Sequence, residues 1–138
     1  MEFKRVLGLD LGEKTIGVAV SDPLGLTAQA VKTIRRGKIE RDLKELEELI
    51  ETYDVYEIVI GLPINMNHTE GPMAEKARAF GKLLEETFQL PVIFQDERLS
   101  SISAEQVLIE GNIRRENRKY YIDKIAASLI LQTYLDLK

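Results

Sequence analysis

The chain has 138 residues, a net charge of −4 at pH 7, 44% hydrophobic and 30% charged residues, and no cysteine. Its length suits a single domain over residues 1–138 that folds without covalent staples, and the missing thiols exclude disulfides and thiolate metal sites, which suits a reducing cytoplasm. The opening MEFKRVLGLD has no signal-peptide apolar region, no apolar run approaches membrane-spanning length, and the acidic balance speaks against a chain coated in polyphosphate.

In chain order, Phe3–Leu11 and Thr15–Ser21 are β-rich runs parted by Gly12-Glu13-Lys14, the pattern of a hairpin. Leu26–Ile34 reads as a third strand after the turn Asp22-Pro23-Leu24-Gly25. From Lys38 the period changes: Ile39, Leu43, Leu46, Ile50 and Tyr53 recur every three or four residues, which predicts an amphipathic helix. Glu57–Leu62 reads as a short buried strand ended by Pro63. After the loop INMNHTEG, Gly71-Pro72 opens a second helix with Met73, Ala77, Phe80, Leu84 and Phe88 inward. Pro91–Gln95 is a fifth strand, followed by Asp96-Glu97-Arg98. Ser100 or Ser101 caps a third helix that stops at Gly111. The stretch GNIRRENRKYY reads as a polar, basic, mobile segment, and a last helix from about Ile122 to Leu137 turns Ile125, Ala126, Leu129, Ile130 and Thr133 inward. The order β-β-β-α-β-α-β-α-α makes an α/β fold with a mixed five-stranded sheet and helices on both faces, the ribonuclease H-like arrangement.

Two basic islands interrupt the acidic average. Lys32–Lys44 carries six cations against Glu40 and Asp42, a local +4. Asn112–Lys124 carries Arg114, Arg115, Arg118, Lys119 and Lys124 against Glu116 and Asp123, a local +3. Solvated faces explain such islands by default, yet phosphate contacts are local, so they also suit a nucleic-acid backbone.

Four acids stand where a solvated face is not the obvious reading. Asp10 interrupts the apolar run of the first strand, where an ionised group costs several kcal/mol without a partner. Asp96 and Glu97 end the fifth strand, at the edge where α/β sheets gather ligands. Asp123 opens the last helix, where an acid also serves simply to complement the dipole. Carboxylates that converge repel one another unless a cation lies between them. An all-oxygen site suits Mg²⁺ or Mn²⁺, which activate water for in-line attack on a phosphodiester.

LGLDLGEKTIGVAVSD, IVIGLPINMNHTEG, QDERLSS and YIDKIAASLILQTYL, in this order and spacing, resemble the YqgF (RuvX) family over about Val6–Leu135. Those are ribonuclease H-like nucleases described as Holliday-junction resolvases and as processors of the 5′ end of pre-16S ribosomal RNA. The resemblance implies that Asp10, Glu97 and Asp123 are the catalytic, metal-binding acids, with Asp96 the competitor for the strand-five position. It implies a magnesium or manganese cofactor, water as nucleophile, and 5′-phosphate and 3′-hydroxyl products. Gly61, Leu62, Pro63 and Asn65 would line the site, and Lys14, Arg98, Arg114, Arg115, Arg118 and Lys119 would hold the substrate backbone. The loop Met66-Asn67-His68-Thr69-Glu70-Gly71 departs from the family's M-D-G-T/S-E-G, which leaves a metal or phosphate role for it unassigned.

The implied partner is nucleic acid, as pre-rRNA or branched DNA, reached through ribosomal precursor particles or a junction, by a monomer or a homodimer making two symmetric cuts. Two rivals remain open. One is a non-catalytic nucleic-acid binder of the same fold. The other is an actin-like ATPase half-domain, suggested by the opening D-x-G hairpin and opposed by the need for two nucleotide-binding walls.

Overall fold

The computed structural model describes residues 4–64, 69–96 and 115–137, the last segment as backbone alone before residue 124. Its elements are β1 (Arg5–Leu11), β2 (Thr15–Ser21), β3 (Ala28–Arg35), α1 (Ile39–Tyr53), β4 (Val55–Leu62), α2 (Pro72–Phe88), β5 (Val92–Asp96) and α3 (Arg115–Asp136). The helix expected over 100–111 lies outside the described residues.

The strands form one sheet in the order β3-β2-β1-β4-β5. β1 pairs antiparallel with β2, and β2 with β3, while β4 lies parallel to both β1 and β5. β1 is central and buried on both faces, which is why its apolar run is nearly continuous. Its odd residues, Leu7, Leu9 and Leu11, join Ile16, Val18, Ile58 and Ile60 in the larger core, beneath Leu46 of α1 and Ala77, Phe80 and Leu84 of α2. Val6 looks to the other face, where Ala19 and Val59 meet Ala127, Ile130, Leu131 and Leu135 of α3. Each fully buried aliphatic side chain contributes about 1.5–3 kcal/mol, so the two layers together fix the sheet between its helices.

Several boundaries differ from the expected ones. β3 begins at Ala28 rather than Leu26, because the Asp22 carboxylate takes the backbone N–H groups of Leu26 (2.7 Å) and Thr27 (3.2 Å) and holds them in the turn. β4 begins two residues early, at Val55, since Asp54 adopts a left-handed conformation (φ 51°) that turns α1 directly into the strand. The register then skips Tyr56, with Val55 opposite Arg5 and Glu57 opposite Val6. In α2, Ala74 takes the buried place expected of Met73, which is half-buried.

The largest correction concerns α3. It starts at Arg115, so residues 115–121, expected to be mobile, are helical. Arg, Glu and Lys are good helix formers, but a run whose only hydrophobic residues are the adjacent Tyr120 and Tyr121 shows no period to detect. Thr133, expected inward, is exposed and donates to the Leu129 carbonyl, while Ile125 and Leu129 are half-buried. The inward face is instead Ala127, Leu131 and Leu135, with Ala126 and Ile130.

Candidate active site

β1 places Asp10 by simple alternation. Val6 and Gly8 face α3, so Asp10, two residues further, faces α3 as well. It is half-buried. Its antiparallel neighbour is Gly17, and Gly61 follows Ile60, the last β4 residue in register with β1. Glycines at these two neighbouring strand positions contribute no side chain beside the carboxylate.

The helix above approaches closely. A Cβ at Gly8 would lie 2.8 Å from Leu131 Cβ and 3.3 Å from the Ala127 carbonyl oxygen. Further along α3, the Tyr134 hydroxyl bonds Glu57 (2.7 Å), which pairs with Val6, and Gln132 holds Leu26 and Ala28 at the start of β3. The C-terminal half of α3 therefore sits over the start of β1. Going back through Leu131 and Ala127, the helix climbs toward the C-terminal end of β1. Asp123 stands one turn before Ala127, about 6 Å of helix rise, and Asp10 stands about 7 Å beyond Gly8. Because α3 begins at Arg115, Asp123 lies in its third turn. Complementing the dipole at the helix start does not account for it.

The parallel strands β1, β4 and β5 end at the same edge of the sheet, the usual ligand edge of an α/β layer. Lys14 is exposed there, in the β1–β2 turn. That turn is anchored by Arg36, whose guanidinium donates to the Gly12 carbonyl (2.7 Å) and whose N–H donates to the Lys14 carbonyl (2.9 Å). After β4, Ile64 bridges to Glu70, closing the base of the loop. Glu70 receives both arms of the Arg78 guanidinium at 2.8 Å, and Arg78 lies over the Phe94 ring of β5. The hydrogen bonds from Arg78 hold the Glu70 carboxyl below the ordinary carboxylate range and raise the guanidinium in return. This clamp and Arg36 escaped the sequence reading. Phe94 meets Arg78, and Gly12 and Lys14 meet Arg36, only once the strands are in register.

Of the expected site residues, Asn65, Glu97, Arg98 and Arg114 lie outside the described residues, and Arg115, Arg118, Lys119 and Asp123 are placed by their helical backbone. Asp96 is half-buried at the end of β5. Phe94 packs against Gly81 of α2 and Ile93 joins the α3 core, so alternation turns Asp96 to the α2 face, opposite Asp10. Among the described residues no three metal-binding side chains gather, and Asp10 supplies the one fully described member of the expected set. Its carboxylate, glycine-flanked and without thiol or imidazole beside it in the register, fits a hard cation taken by oxygen ligands. Among the described residues no helix is long and apolar enough to cross a membrane.

The fold is that of junction-resolving enzymes. Thermus thermophilus RuvC, solved in complex with a Holliday junction substrate, matches with a TM-score of 0.62 over 97% of this chain and 96% of that one, at 13% identity. The fowlpox virus Holliday junction resolvase matches at 0.58 over 97% and 99%, at 14% identity. The architecture is thus ribonuclease H-like. The RuvX family, described as Holliday junction resolvase, matches residues 4–137, and the chain belongs to that family. Its curated relatives include the "Putative pre-16S rRNA nuclease" of Geobacillus sp. (strain WCH70), 57% identical over 97% of this chain and 99% of the relative. The protein of the same name in Heliobacterium modesticaldum is 54% identical over 97% of this chain and 90% of the relative.

Proposed function

We propose that this RuvX chain is a divalent-metal-dependent endonuclease that hydrolyses phosphodiester bonds of structured nucleic acid, with pre-16S rRNA or a four-way DNA junction as its substrate. The observation that carries the reading is Asp10, a half-buried carboxylate between two glycines, on the face of β1 that α3 packs against. Asp10, Glu97 and Asp123 would hold Mg²⁺ or Mn²⁺, and the alternation that turns Asp96 away favours Glu97 as the strand-five ligand. The bound ion supplies the Lewis acidity that lowers the pKa of water and stabilises charge on the leaving oxygen. The chain's own task is to preorganise that site. The carboxylates must be held close before substrate arrives, and their mutual repulsion is offset only by the cation.

Substrate is held at the same edge. Lys14 reaches the backbone from the hairpin, and Arg115, Arg118 and Lys119 lie on the turns of α3 that precede Asp123. With Arg98 and Arg114 they neutralise phosphates without reading sequence. The Glu70–Arg78 clamp sets the base of the loop that carries Asn65.

Cleavage of a labelled four-way DNA junction and of a pre-16S rRNA fragment with Mg²⁺ tests this reading. Asp10→Asn, Glu97→Gln and Asp123→Asn should each abolish cutting while leaving binding intact. A wild-type chain that binds these substrates tightly and never cuts them would make it a binder.

A further inference from the structure

The sequence pattern singled out two basic islands, and the proposed function uses only one. The other, Lys32–Lys44, forms the corner where β3 passes into α1. We propose that this corner is a second phosphate-binding surface, one that holds the nucleic-acid backbone of the substrate arm a few base pairs from the cut; this rests on the nuclease reading.

The corner keeps the +4 of its sequence, and its cations are the groups a ligand can touch. Asp42 is counted against the cations, yet it is 1% exposed and its two oxygens take the Gly37 N–H at 3.1 and 3.3 Å. Of the two acids in the segment, Glu40 alone is exposed, while Arg35, Lys38, Arg41 and Lys44 are exposed cations. They also crowd the N-terminal end of a 15-residue helix whose cap, Lys38, makes no side-chain cap bond. Lys38 at that end opposes the helix dipole, which Glu40 and Asp42 in the first turn complement. Exposed cations outnumber the one exposed acid by four to one, and a polyanion would gain from that excess.

Its position gives it a substrate. Arg36 ties the corner to the β1–β2 turn through Gly12 and Lys14, so the corner moves as one body with the strand that carries Asp10. Across the sheet, Asp10 pairs with Gly17 and Gly17 with Thr33, two strand spacings or about 10 Å. From Thr33 the exposed cations run to Arg35 at the end of this edge strand and then round the edge into α1, which packs on the face of the sheet opposite Asp10, so an arm that follows them wraps the sheet edge. They span roughly 10–20 Å from Asp10, which at 3.4 Å per base pair is about three to six pairs along an arm. Contacts at that distance give affinity and orientation and leave the chemistry alone.

The test uses the full chain and a fluorescein-labelled four-way DNA junction, with a second junction carrying neutral methylphosphonate linkages about three to six nucleotides from the crossover. Arg35→Ser/Lys38→Ser/Lys44→Ser should weaken binding of the normal junction at least about ten-fold and reduce the slope of log K against log salt by about 2–3 units. The methylphosphonate junction should bind wild type about as weakly, with little further loss in the triple variant. The cutting rate at saturating substrate should be unchanged. Charge-preserving Arg35→Lys should keep wild-type binding, and a pre-16S rRNA fragment in place of the junction shows whether RNA arms use the same surface. Equal affinity and salt slope for wild type and triple variant on both DNA and RNA would overturn the corner alone. Loss of binding with cutting by Asp10→Asn intact would keep the corner and overturn the metal site instead.

Discussion

Gly8→Ala probes the contact on which the site geometry depends. The new Cβ would meet Leu131 Cβ at 2.8 Å, the Ala127 carbonyl oxygen at 3.3 Å and Leu131 Cδ2 at 3.4 Å. Ordinary carbon contacts lie at about 3.5–4.0 Å, so the shortfall is roughly 1 Å. Leu131 Cβ is fixed to the helix backbone and cannot rotate away, so α3 itself must lift from the sheet. Overpacking of this kind costs about 1–3 kcal/mol, or a fall in Tm of about 3–10 °C for a chain this long. Urea unfolding followed by circular dichroism measures it. Leu131→Ala should not rescue the variant, because alanine keeps the offending Cβ. Cleavage assayed where the variant is fully folded should fall by about ten- to a hundred-fold, since a misplacement near 1 Å suffices for that and Asp123 rides on the displaced helix. A Gly8→Ala protein within about 0.5 kcal/mol of wild type and fully active would refute the close approach and the role given to it.

Other expectations follow from the caps and turns. Gln89 closes α2 with φ 56°, so Gln89→Gly should gain about 0.5–1 kcal/mol in urea unfolding, less the bond its side chain makes to the Glu86 carbonyl. Asp42→Ala should lose about 1–3 kcal/mol by the same measurement, because it strips the buried partner of the Gly37 N–H. The Leu26 N–H, then that of Thr27, holds the Asp22 carboxyl below its ordinary range. A folded pKa below the unfolded one gives stability that is complete above the unfolded value, near 3.9, and is lost as pH falls through the folded value. Thermal melts across that acid range should show the gap between wild type and Asp22→Asn narrowing as pH drops.

The five-stranded order was legible because turn residues bracket the strands. Gly12-Glu13-Lys14 and Asp22-Pro23 delimit β2 at Thr15–Ser21, the span observed. The start of α1 was legible from its change of period at Lys38. The first turns of α3 were not, since Arg115–Tyr121 has adjacent Tyr120 and Tyr121 as its only hydrophobic residues and so no helical period. Asp10 stood out because a carboxylate in an apolar strand has few structural explanations. Asp42 did not, because an acid on an amphipathic helix looks solvated until the chain folds back to present Gly37 to it. The stacking of Arg78 over Phe94 depends on β5 lying beside β4, which no local pattern encodes.

Mn²⁺ binding followed by electron paramagnetic resonance tests the central claim most directly, as it reads the ion whether or not substrate is cut. Wild type should take up Mn²⁺, and Asp10→Asn, Glu97→Gln and Asp123→Asn should each weaken uptake at least about ten-fold, while Asp96→Asn leaves it unchanged. Undiminished Mn²⁺ affinity in Asp10→Asn would contradict the site proposed for this fold.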